Sequence, residues 1–147
     1  MAGPGGGDRI DEAALRRQEE CFAEAFRAHD VEIARPLYRS DVIYLSPTVR
    51  LYDWPARIVG IDRTLEFIAL TIRRCEAIDY RAVETALLDG GTSAFVHVHF
   101  DWTLDTRRLR SSYVVLYRYR HGLIAQQELY YDPSGPLEEL SSPRGST

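Results

Sequence analysis

The chain has 147 residues, the length of one domain, and its hydrophobic content of 45% is ordinary for a protein with a single core. Its 18 basic residues are all arginines, and the acids scattered among them give a net charge of -4, which argues against a nucleic-acid-binding surface. No apolar run approaches the roughly 18 residues of a membrane span, and no basic stretch followed by an apolar one marks a leader. We therefore expect a cytoplasmic protein without a membrane or nucleic-acid partner.

Helical signals come first along the chain. Apolar residues at helical spacing among arginines and glutamates predict an amphipathic helix over residues 12–28. Asp30 is a good N-cap for a second, short helix over residues 31–38. A strand over residues 41–46 follows, and a third amphipathic helix is predicted over residues 62–75.

Strand signals fill the rest of the chain. Short turns rich in Gly, Asp and His separate four predicted strands, over residues 80–88, 94–104, 109–119 and 123–131. Three arginines are expected in an exposed turn between the second and third of these strands: Arg107, Arg108 and Arg110. Strands joined by short turns form an antiparallel meander, so the chain predicts an α+β cone with one pocket between the helices and the concave sheet face.

The two ends are expected to lie outside this domain. A glycine-rich start, residues 1–11, predicts a flexible N-terminus, and a tail rich in Ser, Gly and Pro, residues 135–147, predicts disorder. The domain itself is predicted over residues 12–134.

One predicted strand carries an unusual polar face. Alternation along it places His97, His99 and Asp101 on one side and an apolar set on the other, namely Val96, Val98, Phe100 and Trp102. Two imidazoles and a carboxylate in register could hold or move protons near neutral pH. Either face could look into the pocket. No further ligand cluster accompanies the histidines, and Cys21 and Cys75 lack metal or redox spacing, so neither a metal site nor a disulfide is predicted.

Several local segments, taken in order, resemble the SnoaL-like branch of the NTF2-like superfamily. They are Phe26-Arg-Ala-His-Asp30, Leu37-Tyr-Arg-Ser-Asp41, Gly60-Ile-Asp-Arg-Thr64, Gly122-Leu-Ile124 and Tyr130-Tyr-Asp-Pro133. The resemblance covers residues 12 to 134 and implies an NTF2-like cone, with three N-terminal helices packed on a curved, mostly antiparallel sheet. The catalytic positions of the ketosteroid isomerases in this superfamily look to be occupied by Ser46, Phe22 and Val115, so that machinery is missing.

A closer pattern is that of the limonene epoxide hydrolases. The segments Tyr44-Leu-Ser46-Pro47 and His99-Phe-Asp101 resemble two of its motifs. By this resemblance His99 and Asp101 face the pocket. Asp101 is then the acid that protonates the epoxide oxygen, and His99 takes the place of the arginine that links the hydrolase carboxylates. Tyr44 would hold water or the substrate oxygen, and Ser46 would position a water less firmly than asparagine does.

The third acid of that pattern departs from the family. The hydrolase base falls on Leu129, so Glu128 reaches the pocket only if a bulge turns the strand. If the base is absent, attack by the substrate's own hydroxyl is easier to support than hydrolysis. The leading hypothesis is therefore a SnoaL-like cyclase of secondary metabolism, such as antibiotic biosynthesis, that opens an epoxide to form a pyran or furan ring.

Three other functions stay open. They are epoxide hydrolysis, a cofactor-free polyketide cyclase or isomerase using His99 or Asp101 as base, and noncatalytic small-molecule binding. In each case an apolar polyketide or terpenoid is the expected substrate, because many aromatic side chains are available to line the pocket. The candidate substrate contacts are Phe22, Trp54, Tyr80, Tyr113 and Tyr131, with His97 as a supporting residue. No phosphate-cradling glycine loop is present, so no cofactor is implied. A homodimer is expected through the convex face, which would explain Phe100 and Trp102 if they point outward.

Overall fold

The computed structural model describes residues 8–131, and two α-helices, three 3-10 helices and six strands make up this part of the chain. The elements are α1 (Glu12–Arg27), a 3-10 helix (Val31–Leu37), β1 (Tyr38–Leu45), a second 3-10 helix (Pro47–Leu51), β2 (Ile58–Val59), α2 (Ile61–Ile72), β3 (Glu76–Leu88), a third 3-10 helix (Asp89–Gly91), β4 (Ser93–Leu104), β5 (Arg107–Arg120) and β6 (Leu123–Tyr131). The predicted disordered tail lies outside the described residues, as do residues 1–7 of the predicted flexible start.

Helix α1 begins where its sequence supplies a cap. The Asp11 carboxylate accepts a hydrogen bond from the Ala14 amide at 2.8 Å, which satisfies one of the free amides of the first turn. Just before it, the Ile10 amide donates to the Gly91 carbonyl at 2.9 Å and joins the chain start to the sheet. The helix then buries one stripe of side chains: Leu15, Gln18, Glu19, Phe22, Ala25 and Phe26.

The six strands form one sheet in the order β2-β1-β6-β5-β4-β3. Strands β1 and β6 pair in parallel, and every other pair is antiparallel. The long β3 to β6 meander is continuous across its centre, where Val98 faces Tyr113 and Val115 faces Leu129. The predicted α+β architecture is confirmed: α1, the 3-10 helix Val31–Leu37 and α2 correspond to the three predicted helices, and they pack on a curved and mostly antiparallel sheet.

The predicted basic turn is wrong in its position. Asp105 and Thr106 form the turn, both with positive φ, as a two-residue hairpin requires. Arg107, Arg108 and Arg110 already belong to β5, and their alternation with buried Leu109 places that leucine on the core side.

The core fills the space between the helices and one face of the sheet. Phe26 of α1 meets Phe100 of β4 edge to face, with ring centroids 5.5 Å apart, and Phe100 in turn packs on Trp102. Trp102 is 1% exposed and Phe100 is 6% exposed. The alternative that these two side chains form an outer dimer surface is therefore wrong, because they belong to the core.

Candidate functional site

A cavity lies between the helices and the concave face of the sheet, where the sequence predicts a pocket. Eight aromatic side chains form about half of its wall: Phe22, Phe26, Tyr44, Tyr80, Phe100, Tyr113, Tyr117 and Tyr131. Aliphatic residues of α2 and the central strands complete it, including Ile68, Ile72 and Leu129. Such a wall suits an apolar ligand that few polar groups orient.

The cavity is nearly filled by its own side chains. Its free volume is about 40 Å³, which is room for only a few water molecules. A ligand with several rings would enter only if wall side chains moved. Thr71 and Tyr131 are the half-buried members of the lining that carry hydroxyl groups, so the wall is least enclosed near them.

The first polar group at the cavity is a set of hydroxyls from β1 and β6. Tyr44 and Tyr131 line the cavity, and each phenol is hydrogen-bonded to the Ser46 hydroxyl. Ser46 itself is buried, bonds the Thr48 hydroxyl at 2.8 Å and caps the 3-10 helix Pro47–Leu51. Burial raises the pKa of Tyr44 and of Tyr131 above the ordinary value of a phenol. Both side chains therefore stay protonated and can donate a hydrogen bond to a ligand oxygen.

The second polar group centres on Glu19 of α1, a buried carboxyl that the sequence analysis missed. Tyr80 donates a hydrogen bond to one carboxyl oxygen at 2.6 Å, and the Gln18 amide donates to the other at 2.8 Å. The Gln18 oxygen accepts from the Tyr119 hydroxyl at 2.8 Å. Burial raises the pKa of Glu19, and the hydrogen bonds from Tyr80 and Gln18 lower it in part.

A sequence signal for Glu19 was available. The residue stands four positions after Leu15 and three before Phe22, so it occupies the apolar stripe of α1. An acid in that stripe predicts a buried carboxyl with polar partners, since a buried charge without them is costly.

The predicted catalytic strand faces the other way. His97, His99 and Asp101 lie on the outer face of β4, because Val96, Val98 and Phe100 take the core side. The prediction that His99 and Asp101 line the pocket is therefore wrong in its placement. His97 bonds the Ser112 hydroxyl of β5 at 2.9 Å and packs edge to face on His99.

Asp101 instead forms the centre of an ion-pair cluster. Both of its oxygens accept from Arg110, at 2.7 and 3.0 Å, and Arg81 and Arg108 lie 3.8 and 3.7 Å away. The hydrogen bonds from Arg110 hold the pKa of Asp101 below its ordinary value. Partial burial and the neighbouring charge of Arg110 lower the pKa of His99.

Two further predicted residues lie away from the cavity. Glu128 points to the outer face of β6, where it accepts hydrogen bonds from Gln126 and Tyr130, while Leu129 takes the cavity side. No bulge turns Glu128 inward, since β5 and β6 pair in unbroken register from Tyr113 to Arg118. Trp54 packs on Phe67 at 5.0 Å, outside the cavity lining, with the Arg63 guanidinium 4.3 Å above its ring. Of the predicted contacts, Phe22, Tyr44, Tyr80, Tyr113 and Tyr131 do line the cavity.

Within residues 8–131 no three His, Cys, Asp or Glu side chains converge as metal ligands would. Neither α-helix of this part of the chain combines the length and the apolarity needed to cross a bilayer.

A helical layer on a curved sheet, with a cavity between the two, defines a fold class that solved NTF2-like and ketosteroid isomerase-like proteins share with this chain. The chain belongs to the SnoaL-like domain family, whose model matches residues 19–127. This confirms the resemblance drawn from the sequence. A search of curated proteins finds no match to the chain.

Solved structures agree on the fold. TsrD from Streptomyces laurentii is 17% identical with a TM-score of 0.71, over 89% of this chain and 97% of that one. An LEH-like epoxide hydrolase from M. tuberculosis is 16% identical with a TM-score of 0.64, over 88% and 90%. A Pseudomonas putida protein described as a polyketide cyclase is 19% identical with a TM-score of 0.60, over 82% and 93%. Likeness at these identities establishes the fold and leaves the reaction to the residues of this chain.

Proposed function

We propose that the chain is a cofactor-independent cyclase that opens an epoxide with an internal hydroxyl and forms an oxygen heterocycle on an apolar polyketide or terpenoid substrate. One observation carries the proposal. The cavity has apolar walls and protonated phenols, and none of the described residues that line it is an aspartate, glutamate or histidine. Such a site can assist a ring opening but has no wall carboxylate to activate water.

The chemistry fits the hydroxyl groups at the cavity. When the substrate hydroxyl attacks an epoxide carbon, a new C–O bond forms, the epoxide C–O bond breaks, and negative charge develops on the epoxide oxygen. Tyr44 and Tyr131 can donate hydrogen bonds to that oxygen in a water-poor site, where such donors have a large effect. The epoxide oxygen gains a proton and the attacking hydroxyl loses one, so the ring closure is neutral overall.

Hydrolysis is the less supported reaction. A limonene-type hydrolase needs a base beside its nucleophilic water, and at the corresponding position Leu129 faces the cavity while Glu128 faces outward. An internal nucleophile is already held near the epoxide, and this proximity lowers the need for a strong base.

The test uses synthetic epoxides that carry a hydroxyl in reach of the ring, presented in water labelled with oxygen-18. A cyclase gives a cyclic ether without the label, whereas a hydrolase gives a labelled diol. We expect Tyr44→Phe to lower the rate on the order of 10-fold to 100-fold. The control Tyr130→Phe removes an exposed phenol on the outer face and should leave the rate unchanged. A labelled diol as the main product would refute the cyclase.

Noncatalytic binding of a small molecule is the second candidate. The outward placement of His99 and Asp101 favours it, because the acid and base expected from the sequence do not reach the cavity. It predicts that hydroxy-epoxides or their neutral analogues bind, measured by calorimetry, without turnover by the wild-type chain. Conversion faster than in buffer would exclude this candidate.

A cytoplasmic homodimer is part of the proposal. What supports self-association is the outer sheet face, on which half-buried Phe95, Val114 and Leu116 accompany Tyr130, which is 54% exposed. Light scattering after size exclusion should give a mass near twice 16.8 kDa. A single-chain mass at micromolar concentration would contradict it.

A further inference from the structure

We infer that Glu19 and Tyr80 form a proton relay through the cavity wall, which joins a substrate oxygen in the cavity to solvent in an outer groove between α1 and β3. The relay rests on the proposed cyclase function and adds a proton source to it. Its geometry stands on two openings and one short hydrogen bond.

The two openings share one residue. Tyr80 of β3 lines the aromatic cavity and also the outer groove, so its side chain separates the two spaces. Glu19 lines the groove but not the cavity, and its carboxyl accepts the Tyr80 hydroxyl at 2.6 Å. The groove is open to solvent, and Glu12, Arg16 and Glu20 are among its lining residues. Solvent can therefore approach Glu19 without passing through the cavity.

The carboxyl is held in one position. Gln18 donates to its second oxygen at 2.8 Å, and Tyr119 fixes the Gln18 amide by donating to its oxygen at 2.8 Å. Phe26 packs on the Tyr80 ring with centroids 5.1 Å apart and limits its movement. Within residues 8–131 Glu19 has no ion pair with an arginine, so its charge is balanced only by these hydrogen bonds.

This pair has two hydrogen-bonded states. With Glu19 ionised, the Tyr80 hydroxyl donates to the carboxylate, as in the structure. With Glu19 protonated, the carboxyl donates to the Tyr80 oxygen, and the Tyr80 hydroxyl hydrogen becomes free for a substrate oxygen. Burial raises the pKa of Glu19 and favours the protonated state. After Glu19 has given up its proton, the hydrogen bonds from Tyr80 and Gln18 stabilise the resulting carboxylate.

The proton balance of the step is complete. As the epoxide C–O bond breaks, Tyr80 gives its proton to the epoxide oxygen and takes the Glu19 proton in the same movement. Glu19 becomes a carboxylate and regains a proton from water in the groove. The attacking hydroxyl releases its proton to water, so one proton enters and one leaves in each turnover.

The titratable groups that face the buried side of Glu19 are phenols. Tyr80 of β3, Tyr38 of β1 and three tyrosines of β5 surround the buried side of the carboxyl, the last three being Tyr113, Tyr117 and Tyr119. Burial raises the pKa of each of these phenols, which keeps them neutral. On the groove side the charged neighbours are Glu12, Arg16 and Glu20 of α1.

The kinetic test compares Glu19→Gln and Tyr80→Phe with the control Glu24→Gln, which alters an exposed residue of the same helix that lines neither the groove nor the cavity. The wild-type kcat should fall as the pH rises through the raised pKa of Glu19, because the carboxyl then loses its proton, and this high-pH limb should vanish in Glu19→Gln. Each relay variant should lower kcat on the order of 10-fold to 100-fold. The double variant should lower kcat no further than either single variant does, because both residues act in the same relay. Glu24→Gln should match the wild type. A Glu19→Gln variant that retains the wild-type rate and pH profile overturns the relay but leaves the cyclase proposal standing.

A second measurement needs no variant, which protects the test against a failure to fold. The rate is measured in mixtures of light and heavy water. Because the relay moves two protons in one step, a plot of rate against deuterium fraction should be curved, as expected when two exchangeable protons move together. A linear dependence overturns the relay.

If the wild type converts no hydroxy-epoxide, the proposed function fails and the relay is judged by NMR titration of labelled glutamate. Tyr80→Phe should then raise the pKa of Glu19, since it removes a bond that lowers it, and an unchanged titration overturns the relay.

Discussion

Asp101 offers a sharp test, because its sequence pattern predicts a catalytic acid and the structure shows an ion-pair residue on the outer face. Replacing Asp101 with Asn removes the carboxylate charge to which two nitrogens of the Arg110 guanidinium donate, at 2.7 and 3.0 Å. It also leaves Arg81 and Arg108 without their shared carboxylate. We expect Asp101→Asn to lose about 1–3 kcal/mol of unfolding free energy and to retain the activity of the wild type.

The magnitude follows from exposure. The Asp101 side chain is 9% exposed, which favours a strong pair, but the Arg110 side chain is 50% exposed, so water screens it. A double-mutant cycle with Arg110→Ala should therefore give a coupling of about 1 kcal/mol, above the usual value of a surface pair. Asp79→Asn is the control, since that exposed carboxylate only meets Arg81 at 3.4 Å and its loss should cost under about 0.5 kcal/mol.

The pH dependence has a defined sign. Arg110 lowers the pKa of folded Asp101, so the stabilisation is present above the unfolded value near 3.8 and is lost as pH falls below it. Urea unfolding of both proteins should show their stability difference shrinking below that pH. If Asp101→Asn kept the stability of the wild type but lost turnover, that result would refute the outward placement and restore Asp101 as the acid.

Three further predictions concern stability and are checked by urea unfolding. Phe67→Ala should cost about 3–5 kcal/mol, because this fully buried ring packs on Tyr44, Tyr52 and Trp54, and a loss under about 1 kcal/mol would contradict that packing. Gly91→Ala should cost more than Gly90→Ala although both have positive φ, because only the Gly91 Cβ would meet the Ile10 carbonyl oxygen, at 2.3 Å, and equal costs would count against that contact. Because the pKa of Glu19 is raised in the folded protein, its contribution to the unfolding free energy is complete below the unfolded pKa of about 4.5 and is lost as pH rises through the folded pKa. Glu19→Gln should therefore show a smaller decline of stability with rising pH than the wild type does. An equal decline in both proteins would argue against a buried carboxyl.

The helices and strands follow from local pattern. The apolar spacing of residues 12–28 predicts α1, which the structure places at Glu12–Arg27, and the turn signals divide the second half into the observed meander. The hairpin at Asp105 shows the limit of this reading. Clustered arginines suggest a turn, but backbone conformation decided its position, and the arginines alternate with buried residues along β5.

The candidate site was predictable only in part. Tyr44, Tyr80, Tyr113, Tyr131 and Phe22 could be assigned to the cavity from their elements, and all five line it. The resemblance to the hydrolase motifs implied that His99 and Asp101 face the pocket, but the apolar side of β4 faces the core, as the burial of apolar side chains requires.

The sequence by itself determined the periodicity of every long element and hence the α+β cone, because period and turn chemistry are local properties of the chain. It also determined that one face of β4 is polar and the other apolar. Only the tertiary structure decided which face meets the helices, because an apolar strand face can be buried either under helices or in an interface between subunits. The same packing joined Glu19 of α1 to Tyr80, 61 residues away, in a pair that no local pattern connects.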